Sequence, residues 1–340
     1  MAINPLSGIS ISLANQISRE LYDYAHSYHT FVSLLAGLDN MYGVTQRMTK
    51  SEDLSGSAIR LEFRASLPVI QGSNSVTGSL ASLALTPQTN FSIVAGEMGW
   101  SHYQMREDIR VSYLDHIMSN PKSVVPYIKE VAEASRNAVI QKLSEDMFPS
   151  TAVSTTNGIY SESRVMALAY ALQNPGASYE YCGLDLNDSG YSGLRATVAT
   201  TFGVASLSNI RKNFLIPLRH KMAKIDVGLV DTSVYDYMVT QAESRVVIEQ
   251  QEKLVYGGEY VRYGGLIWAP ESRMDALSSR EMYVLDSSTW EFRQKGAFKD
   301  FKVIENPDTA TLVTMLGQFP GALVCKSPRR NGRATGVTLS

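Results

Sequence analysis

A polar segment of unusual length separates two stretches in which apolar and polar residues alternate. Residues 71–90 are rich in Ser, Thr, Gly and Asn, whereas 59–64 and 102–106 alternate as half-buried strands do, and the alternation resumes at 109–111. The pattern predicts a long hairpin with a tip of small residues. Because a loop of that length is uncommon inside a compact domain and is usually functional, we expect neighbouring molecules to hold it in place.

Two further stretches have the period of amphipathic helices. Between Ser10 and Gly37, apolar residues recur at steps of three and four, which predicts an N-terminal helix that packs on a partner or on its own domain. Residues 124–147 show the same period without a glycine, and Phe148-Pro149 follows them. They predict a helix roughly 36 Å long, at ~1.5 Å per residue, that ends just before the proline.

Beyond a polar linker at 151–158, predicted helices and strands alternate. Helical periods mark three segments, and Pro217 predicts a kink or an early stop in the second: 163–173, 207–222 and 234–250. Apolar strands are predicted at 225–230, 266–268, 282–285 and 322–325. Paired glycines that stand between strands are interpreted as turns, at 257–258 and 264–265. The predicted fold class is α+β, with two lobes and one protruding hairpin.

Composition excludes several classes of protein. The 340 residues carry 31 Lys and Arg against 33 Asp and Glu, a net charge of −2, so the chain as a whole is not a basic, tail-type nucleic-acid binder. Its two cysteines, Cys182 and Cys325, form neither a disulfide framework nor a zinc cluster. The sequence shows no secretory signal and no uninterrupted apolar run of ~18 residues, so we expect no contact with a membrane.

The sequence also lacks the motifs of the common enzyme classes. It contains neither a phosphate-binding loop nor a G-x-S-x-G elbow. His26 and His29 are three residues apart, but Asp23 is the one carboxylate beside them and no H-E-x-x-H motif occurs. We therefore expect no metal, no cofactor and no catalytic activity. The alternative from this class is a soluble enzyme whose scattered active site involves three residues, Glu97, His102 and Asp108.

One strong run of positive charge lies near the C-terminus. It comprises four basic residues, Lys326, Arg329, Arg330 and Arg333. Such a run can contact nucleic acid or an acidic partner surface. Because no aromatic residue is interleaved, we favour the other interpretation, a solvated hairpin turn between two edge strands.

The order of these elements is similar to that of a known family. A helical arm, a long two-stranded loop, a long uninterrupted helix, a strand–helix–strand lobe and a returning strand follow one another as in the major capsid protein of tailed phages, the Hong Kong 97-type fold. Residues 227–236 resemble that family's axial-domain strand, which leads through a Thr-Ser turn into a helix carrying a tyrosine. Residues 256–258, 263–267 and 282–286 resemble its strand–Gly–strand succession, after which Trp290 and Phe292 stand in another short strand.

The resemblance implies a division of the chain into five parts. These are an N-terminal arm with an amphipathic helix (1–45), an E-loop hairpin (46–112), a peripheral domain with the spine helix (113–158), an axial domain (159–317) and a C-terminal return strand of the peripheral domain (318–340). Pentamers and hexamers are expected to form around the axial domain.

The resemblance also implies a structural function. The chain is expected to assemble with itself, as pentamers and hexamers, into the icosahedral head of a tailed bacteriophage that encloses double-stranded DNA without sequence specificity. Assembly in the host cytoplasm, residence in the virion, and a separate scaffolding protein, a portal and decoration proteins as partners are further expectations. No Lys lies between Lys50 and Lys122, so we expect a shell without the Lys–Asn crosslinks that some members form. The alternative with the same fold is an encapsulin-type compartment that holds cargo protein.

Polar residues of the predicted hairpin are the candidates for contacts between subunits. They are Arg60, Glu62, Arg64, Arg106, Glu107 and Arg110. In this prediction the hairpin, built from 59–64 and 102–110, lies over the neighbouring subunit and these side chains form its polar contacts.

Overall fold

The computed structural model describes residues 30–31, 58–64, 93–99, 101–110, 138, 141–150, 164–173, 180–243, 261–277, 279–294, 299–304 and 311–339. Sixteen strands lie in this part of the chain: β1 (Ala58–Arg64), β2 (Ile93–Gly99), β3 (Ser101–Arg110), β4 (Glu180–Tyr181), β5 (Leu184–Asp185), β6 (Thr197–Ala199), β7 (Gly203–Val204), β8 (Val227–Val230), β9 (Val261–Tyr263), β10 (Leu266–Pro270), β11 (Glu281–Leu285), β12 (Trp290–Gln294), β13 (Lys299–Ile304), β14 (Thr311–Cys325), β15 (Gly332–Thr335) and β16 (Val337–Thr338). The fold is mixed α and β, as the sequence predicts.

The described helices are mostly short. The α-helices are Leu168–Ala171, Leu207–Ile210, Ile216–His220 and Thr232–Glu243, with a π-helical turn at Arg211–Leu215. Four 3-10 turns lie at Ser189–Leu194, Ser272–Ala276, Ser287–Thr289 and Pro328–Arg330. Residues 141–147 are also helical and end just before Phe148-Pro149, where the sequence predicts the end of the long helix. Its predicted start lies outside the described residues.

A six-stranded mixed sheet forms the centre of the fold, in the order β6-β15-β11-β8-β10-β9. β15 runs parallel to β6 and β8 runs parallel to β10, whereas the other neighbours are antiparallel. β8 is apolar and buried throughout, and so are most residues of β10 and β11, because both faces of the sheet are covered. One face packs against 143–148 and 165–172, and the other against the helices at 207–220 and 232–243.

Gly228 and Trp268 show how closely the central strands pack. They are direct neighbours in the parallel pair of β8 and β10, and Trp268 is fully buried. A Cβ atom on residue 228 would lie 2.2 Å from the indole ring of Trp268. The glycine of the Val227-Gly228-Leu229-Val230 motif therefore provides the space in which the tryptophan lies.

β14 organises a second sheet. It pairs along one edge with β13 and then β12, and along the other edge with β3. β14 therefore crosses the predicted domain boundary at 317–318. β12 and β13 precede that boundary yet pair with β14, whereas β15 follows it and lies in the six-stranded sheet.

The partner of the first hairpin strand differs from the prediction. β1 pairs with β2, with Ala58 opposite Gly99 and Arg64 opposite Ile93. The predicted partner, 102–110, belongs to β3, and β3 pairs with β14. In the sequence of β2, Ile-Val-Ala-Gly-Glu-Met-Gly, apolar and polar residues alternate too weakly to predict a strand. The alternation is more regular in the residues of β3 that follow, so the pattern predicts those as the partner of β1.

The structure confirms a helix cap and a tight turn that the sequence predicts. Asp231, the residue before the helix Thr232–Glu243, accepts a hydrogen bond from the main-chain N–H of Val234 at 2.7 Å, as an N-cap residue does. Gly264 and Gly265 have φ values of +65° and +84° and form the tight turn between β9 and β10. The π-helical turn before Pro217 accommodates the proline within the helical segment without an early stop.

At the one described point of the predicted N-terminal helix, the chain packs on its own core. Phe31 is 3% exposed, and its ring meets Phe148 and Trp290 edge-on, with 5.9 Å between centroids in each pair. Its main-chain N–H donates to Glu271 Oε2 at 2.8 Å, and the Thr30 hydroxyl donates to the Pro270 carbonyl at 2.6 Å. The rest of the predicted helix lies outside the described residues.

Candidate functional site

The β1–β2 hairpin has one polar, exposed face. Arg60 and Glu62 are exposed on β1, and Glu97 is exposed on β2 directly opposite Arg60. The intervening residues of β1, Ile59, Leu61 and Phe63, are between 2% and 4% exposed. This is the inside–outside alternation that the sequence predicts. The outward face is therefore free to contact another molecule.

Both described strands of the hairpin are fixed to the body of the molecule. The Phe63 ring meets the Tyr181 ring edge-on at 5.8 Å, and the Glu97 main-chain N–H donates to the Cys182 carbonyl at 2.9 Å. The Tyr181 hydroxyl in turn donates to the Cys325 carbonyl and accepts from the Cys325 N–H, at 2.8 and 2.9 Å. Burial raises the pKa of this hydroxyl well above its usual value, which keeps it a neutral donor. The buried side of the hairpin is thus held against the body of the molecule.

The six predicted contact residues lie on strands of two different sheets. Arg60, Glu62 and Arg64 lie on β1, whereas the other three lie on β3 opposite β14: Arg106, Glu107 and Arg110. The prediction that 102–110 forms part of the hairpin is therefore wrong.

The residues of the alternative active site are not brought together. His102 and Asp108 lie on the same strand, β3, six residues apart. At about 3.3 Å per residue their Cα atoms are roughly 20 Å apart. Groups at that separation cannot act on one substrate atom, because general acid–base catalysis needs hydrogen-bond reach.

Three of the four C-terminal basic residues pair with buried carboxylates. Lys326 Nζ lies 2.5 Å from Glu291, and Arg330 Nη2 lies 2.6 Å from Asp286, which is fully buried. The strand after this turn is not an edge strand, since β15 lies between β6 and β11. The part of β14 that leads into the turn, 322–325, pairs with β12 on one side. The interpretation as a turn between edge strands is therefore wrong, and these two cations serve the fold.

Arg333, the last member of that cluster, belongs to a buried polar network. Its Nη2 lies 2.5 Å from Glu281 Oε1, and its Nη1 donates to the Ala169 carbonyl at 3.3 Å. The Tyr283 hydroxyl donates to the same Glu281 carboxylate at 2.5 Å. Burial alone would lower the pKa of the guanidinium, but Tyr283 and Glu281 raise it above its usual value. The network joins the short helix Leu168–Ala171 to the central sheet.

A second basic region is not apparent in the sequence analysis. The helical segment 207–220 and the turn after it expose five basic side chains, Arg211, Lys212, Arg219, His220 and Lys224. The sequence does carry an indication of this region, because no acidic residue lies between Asp188 and Asp226. The same span contains six Lys or Arg: Arg195, Arg211, Lys212, Arg219, Lys221 and Lys224. The cations are interspersed with apolar residues, so they do not form a run.

A cleft of about 410 Å³ lies beside the end of the helix at 141–147. Its walls carry both signs of charge, and these pair with one another: Lys142 with Asp146 at 2.8 Å and Arg273 with Glu145 at 3.3 Å. Within the described ranges no group of three His, Cys, Asp or Glu residues could hold a metal ion.

None of the helices that the structure describes is long and apolar enough to cross a membrane.

Solved structures share this fold at low sequence identity, although no protein-family model and no curated protein sequence matches the chain. The capsid asymmetric unit of cyanophage A-1(L) matches with a TM-score of 0.64 and 12% identity, over 93% of this chain and 96% of the other. The holo-SrpI encapsulin complex from Synechococcus elongatus PCC 7942 matches with a TM-score of 0.54 and 10% identity, over 86% of each chain. The capsid of the native GTA particle matches with a TM-score of 0.50 and 8% identity, over 88% of this chain and 94% of the other. The chain therefore has the fold of phage capsid proteins and encapsulins, which confirms, for the fold, the Hong Kong 97-type resemblance.

Proposed function

We propose that this chain is the major capsid protein of a tailed bacteriophage. It assembles as pentamers and hexamers into an icosahedral head that encloses double-stranded DNA. The observation that carries the proposal is the match to the cyanophage capsid chain, which covers 93% of this chain and 96% of that one with a TM-score of 0.64. The match thus includes nearly the whole of both chains.

A shell function also suits the charges of the molecule. Several buried carboxylates hold a cation of the same chain, as Glu291 holds Lys326 and Glu281 holds Arg333. The β1–β2 hairpin, in contrast, exposes Arg60, Glu62 and Glu97 on the side that faces away from the body of the molecule. Subunits of a closed symmetric shell need such heterologous surfaces, because each one meets several neighbours. The neighbours in the fold comparison are shell proteins, and we propose that this chain likewise has no catalytic role.

We propose that β1 of the hairpin forms polar contacts with a neighbouring subunit through Arg60, Glu62 and Arg64. The test is the size of the assembled protein, by gel filtration and negative-stain microscopy, in wild type and in Arg60→Glu/Arg64→Glu. We expect closed shells or capsomer rings from the wild type and unassembled, folded subunits from the variant. Normal particles from the variant would refute the role of these two side chains.

A second pair of variants tests whether Arg60 contacts a neighbouring subunit or pairs only with Glu97 inside the hairpin. Arg60→Glu alone opposes Glu97 across the two strands, whereas Arg60→Glu/Glu97→Arg restores opposite charges there with the order reversed. If Arg60 contacts a neighbour, both variants fail to assemble. Recovery of assembly in the double variant would show that the pair serves the hairpin alone. Arg262→Glu, an exposed charge change on β9, is the matched control.

An encapsulin-type compartment is the second candidate, because the SrpI encapsulin matches with a TM-score of 0.54 over 86% of each chain. The contents of purified particles decide between the two. Nuclease-protected double-stranded DNA supports the phage head, and a single cargo protein supports the compartment. A stable small oligomer that never forms shells with phage partners would contradict both.

Further partners follow from the phage-head proposal. A separate scaffolding protein, a portal and decoration proteins would act with the chain during assembly in the host cytoplasm. The mature protein would reside in the virion. The contacts proposed for Arg106, Glu107 and Arg110 would come from the β3–β14 sheet and not from the hairpin.

A further inference from the structure

The segment 207–224 has one apolar and one basic side. Its apolar side chains, Ile210, Phe214 and Leu218, are fully buried against the central sheet. The opposite side exposes five basic side chains, which we call the basic helix face: Arg211, Lys212, Arg219, His220 and Lys224. From 211 to 220, where the helical segment ends, this face extends about 13 Å, at ~1.5 Å per residue.

The charges of the basic helix face are not neutralised within the described part of the chain. None of its five side chains lies within ion-pair distance of a described carboxylate. The two carboxylates near its C-terminal end are occupied, because Asp226 accepts from the Ser287 main-chain N–H at 2.8 Å and Asp286 lies 2.6 Å from Arg330 Nη2. This differs from the C-terminal cluster, where Lys326 and Arg330 have carboxylate partners.

The composition of this face identifies the kind of ligand it fits. Charged residues are depleted at the centres of protein–protein interfaces, whereas Lys and Arg aligned on one face of a helix are typical of nucleic-acid binding. Duplex DNA carries one negative charge per ≈1.7 Å of its axis, so several phosphates lie within the ~13 Å that the helical part of the face covers. Two exposed apolar residues on the same segment, Ile216 (46% exposed) and Met222 (71%), make a second copy of the chain the competing occupant.

We propose that the basic helix face binds the phosphodiester backbone of double-stranded DNA without sequence specificity. The inference rests on the proposed function, because it names the surface that would face the packaged DNA. It also assigns this contact to residues 211–224 and not to the C-terminal cluster, three of whose four cations pair with carboxylates of the same chain. Arg219 would bind DNA and also contribute to the fold, since its Nη2 donates to the Gly264 carbonyl at 2.9 Å.

The test compares two variants that each lose two positive charges. Arg211→Gln/Lys212→Gln removes cations of the basic helix face without touching Arg219. Arg262→Gln/Arg280→Gln removes exposed cations from β9 and from the strand-connecting turn before β11. Unassembled subunits of the whole chain are titrated into a fluorescent random-sequence DNA duplex at several salt concentrations. Assembly of each variant is measured separately by gel filtration and microscopy.

We expect the Arg211→Gln/Lys212→Gln variant to bind the duplex more weakly than the wild type. The slope of the logarithm of the binding constant against the logarithm of the salt concentration should become smaller by about 1.8, because each lost phosphate contact reduces it by about 0.9. The control pair should keep the wild-type slope. Wild-type affinity and slope in the first variant would overturn the inference, as would failure of the wild type to bind the duplex. Lost assembly with unchanged DNA binding would assign the face to a second copy instead. If the wild type forms no shells but shows the expected slopes, the proposed function fails and DNA binding by this face stands.

Discussion

Replacing Asn331 by Ala should destabilise the subunit strongly, because this side chain joins the two sheets. Asn331 is fully buried between β14 and β15. Its Oδ1 accepts from the Asp286 main-chain N–H at 2.9 Å and from Trp290 Nε1 at 3.0 Å. Its Nδ2 donates to Thr289 Oγ1 and to the Ser327 carbonyl, both at 2.9 Å. One amide thus satisfies groups at the end of β11, the start of β12 and the turn after β14.

The magnitude follows from the two donors that the substitution leaves without an acceptor. A buried N–H group without a partner costs about 1–3 kcal/mol. The Asp286 main-chain N–H and the Trp290 indole N–H both lose their acceptor in Asn331→Ala, so the free energy of unfolding should fall by about 2–6 kcal/mol. At an m-value of about 3 kcal/mol/M, the urea midpoint then falls by about 0.7–2 M.

The assay is equilibrium urea unfolding of unassembled subunits, followed by tryptophan fluorescence. Asn213→Ala is the matched control, because Asn213 is half-buried and its Nδ2 donates to a single helix carbonyl, that of Asn209, at 3.0 Å. We expect the control to change the free energy by less than about 0.5 kcal/mol, as substitutions away from buried networks do. Equal midpoints for the two variants at the same m-value would refute the reasoning.

Two further predictions concern titratable groups. Burial would raise the pKa of Glu291, but Lys326 and Arg293 lower it below its usual 4.5. Ionised Glu291 therefore stabilises the fold above about pH 4.5 and this contribution is lost as the pH falls, so the urea midpoints of wild type and Glu291→Gln should converge on acidification. A constant difference between about pH 7 and pH 3 would contradict this. Burial also raises the pKa of Cys182 and Cys325 to about 12, so neither thiol should react with a disulfide reagent at about pH 8 until urea unfolds the subunit.

The sequence predicts the elements better than their partners. The alternation of 59–64 and the capping signal at Asp231 depend on neighbouring residues, and the structure confirms both. The partner of β3 is β14, some two hundred positions later in the chain. Nothing local encodes such a pairing, because it depends on which strand edges remain open after the rest of the chain has folded. The order of elements is therefore the better guide to the fold.

The two basic regions show the same limit for the candidate sites. The run 326–333 is conspicuous in the sequence, but Lys326 and Arg330 find buried carboxylates about 35–45 positions earlier. The cations of the basic helix face are spread through an amphipathic period, and folding gathers them on one side of the helix. A short window of sequence shows neither ion pairs between residues far apart in the chain nor a basic surface whose residues are spread along the chain.

The position of β14 and β15 in the chain has a consequence for the timing of synthesis. β14 pairs with β3, which is made some two hundred residues earlier, and β15 enters the central sheet between β6 and β11. Until residues 311–335 have left the ribosome, both sheets lack an interior strand and expose open edges, which other chains could join. Pairings this distant in sequence also form late. A growing chain therefore lacks the complete surface that contacts a neighbour. A subunit can enter a shell only after its translation is complete.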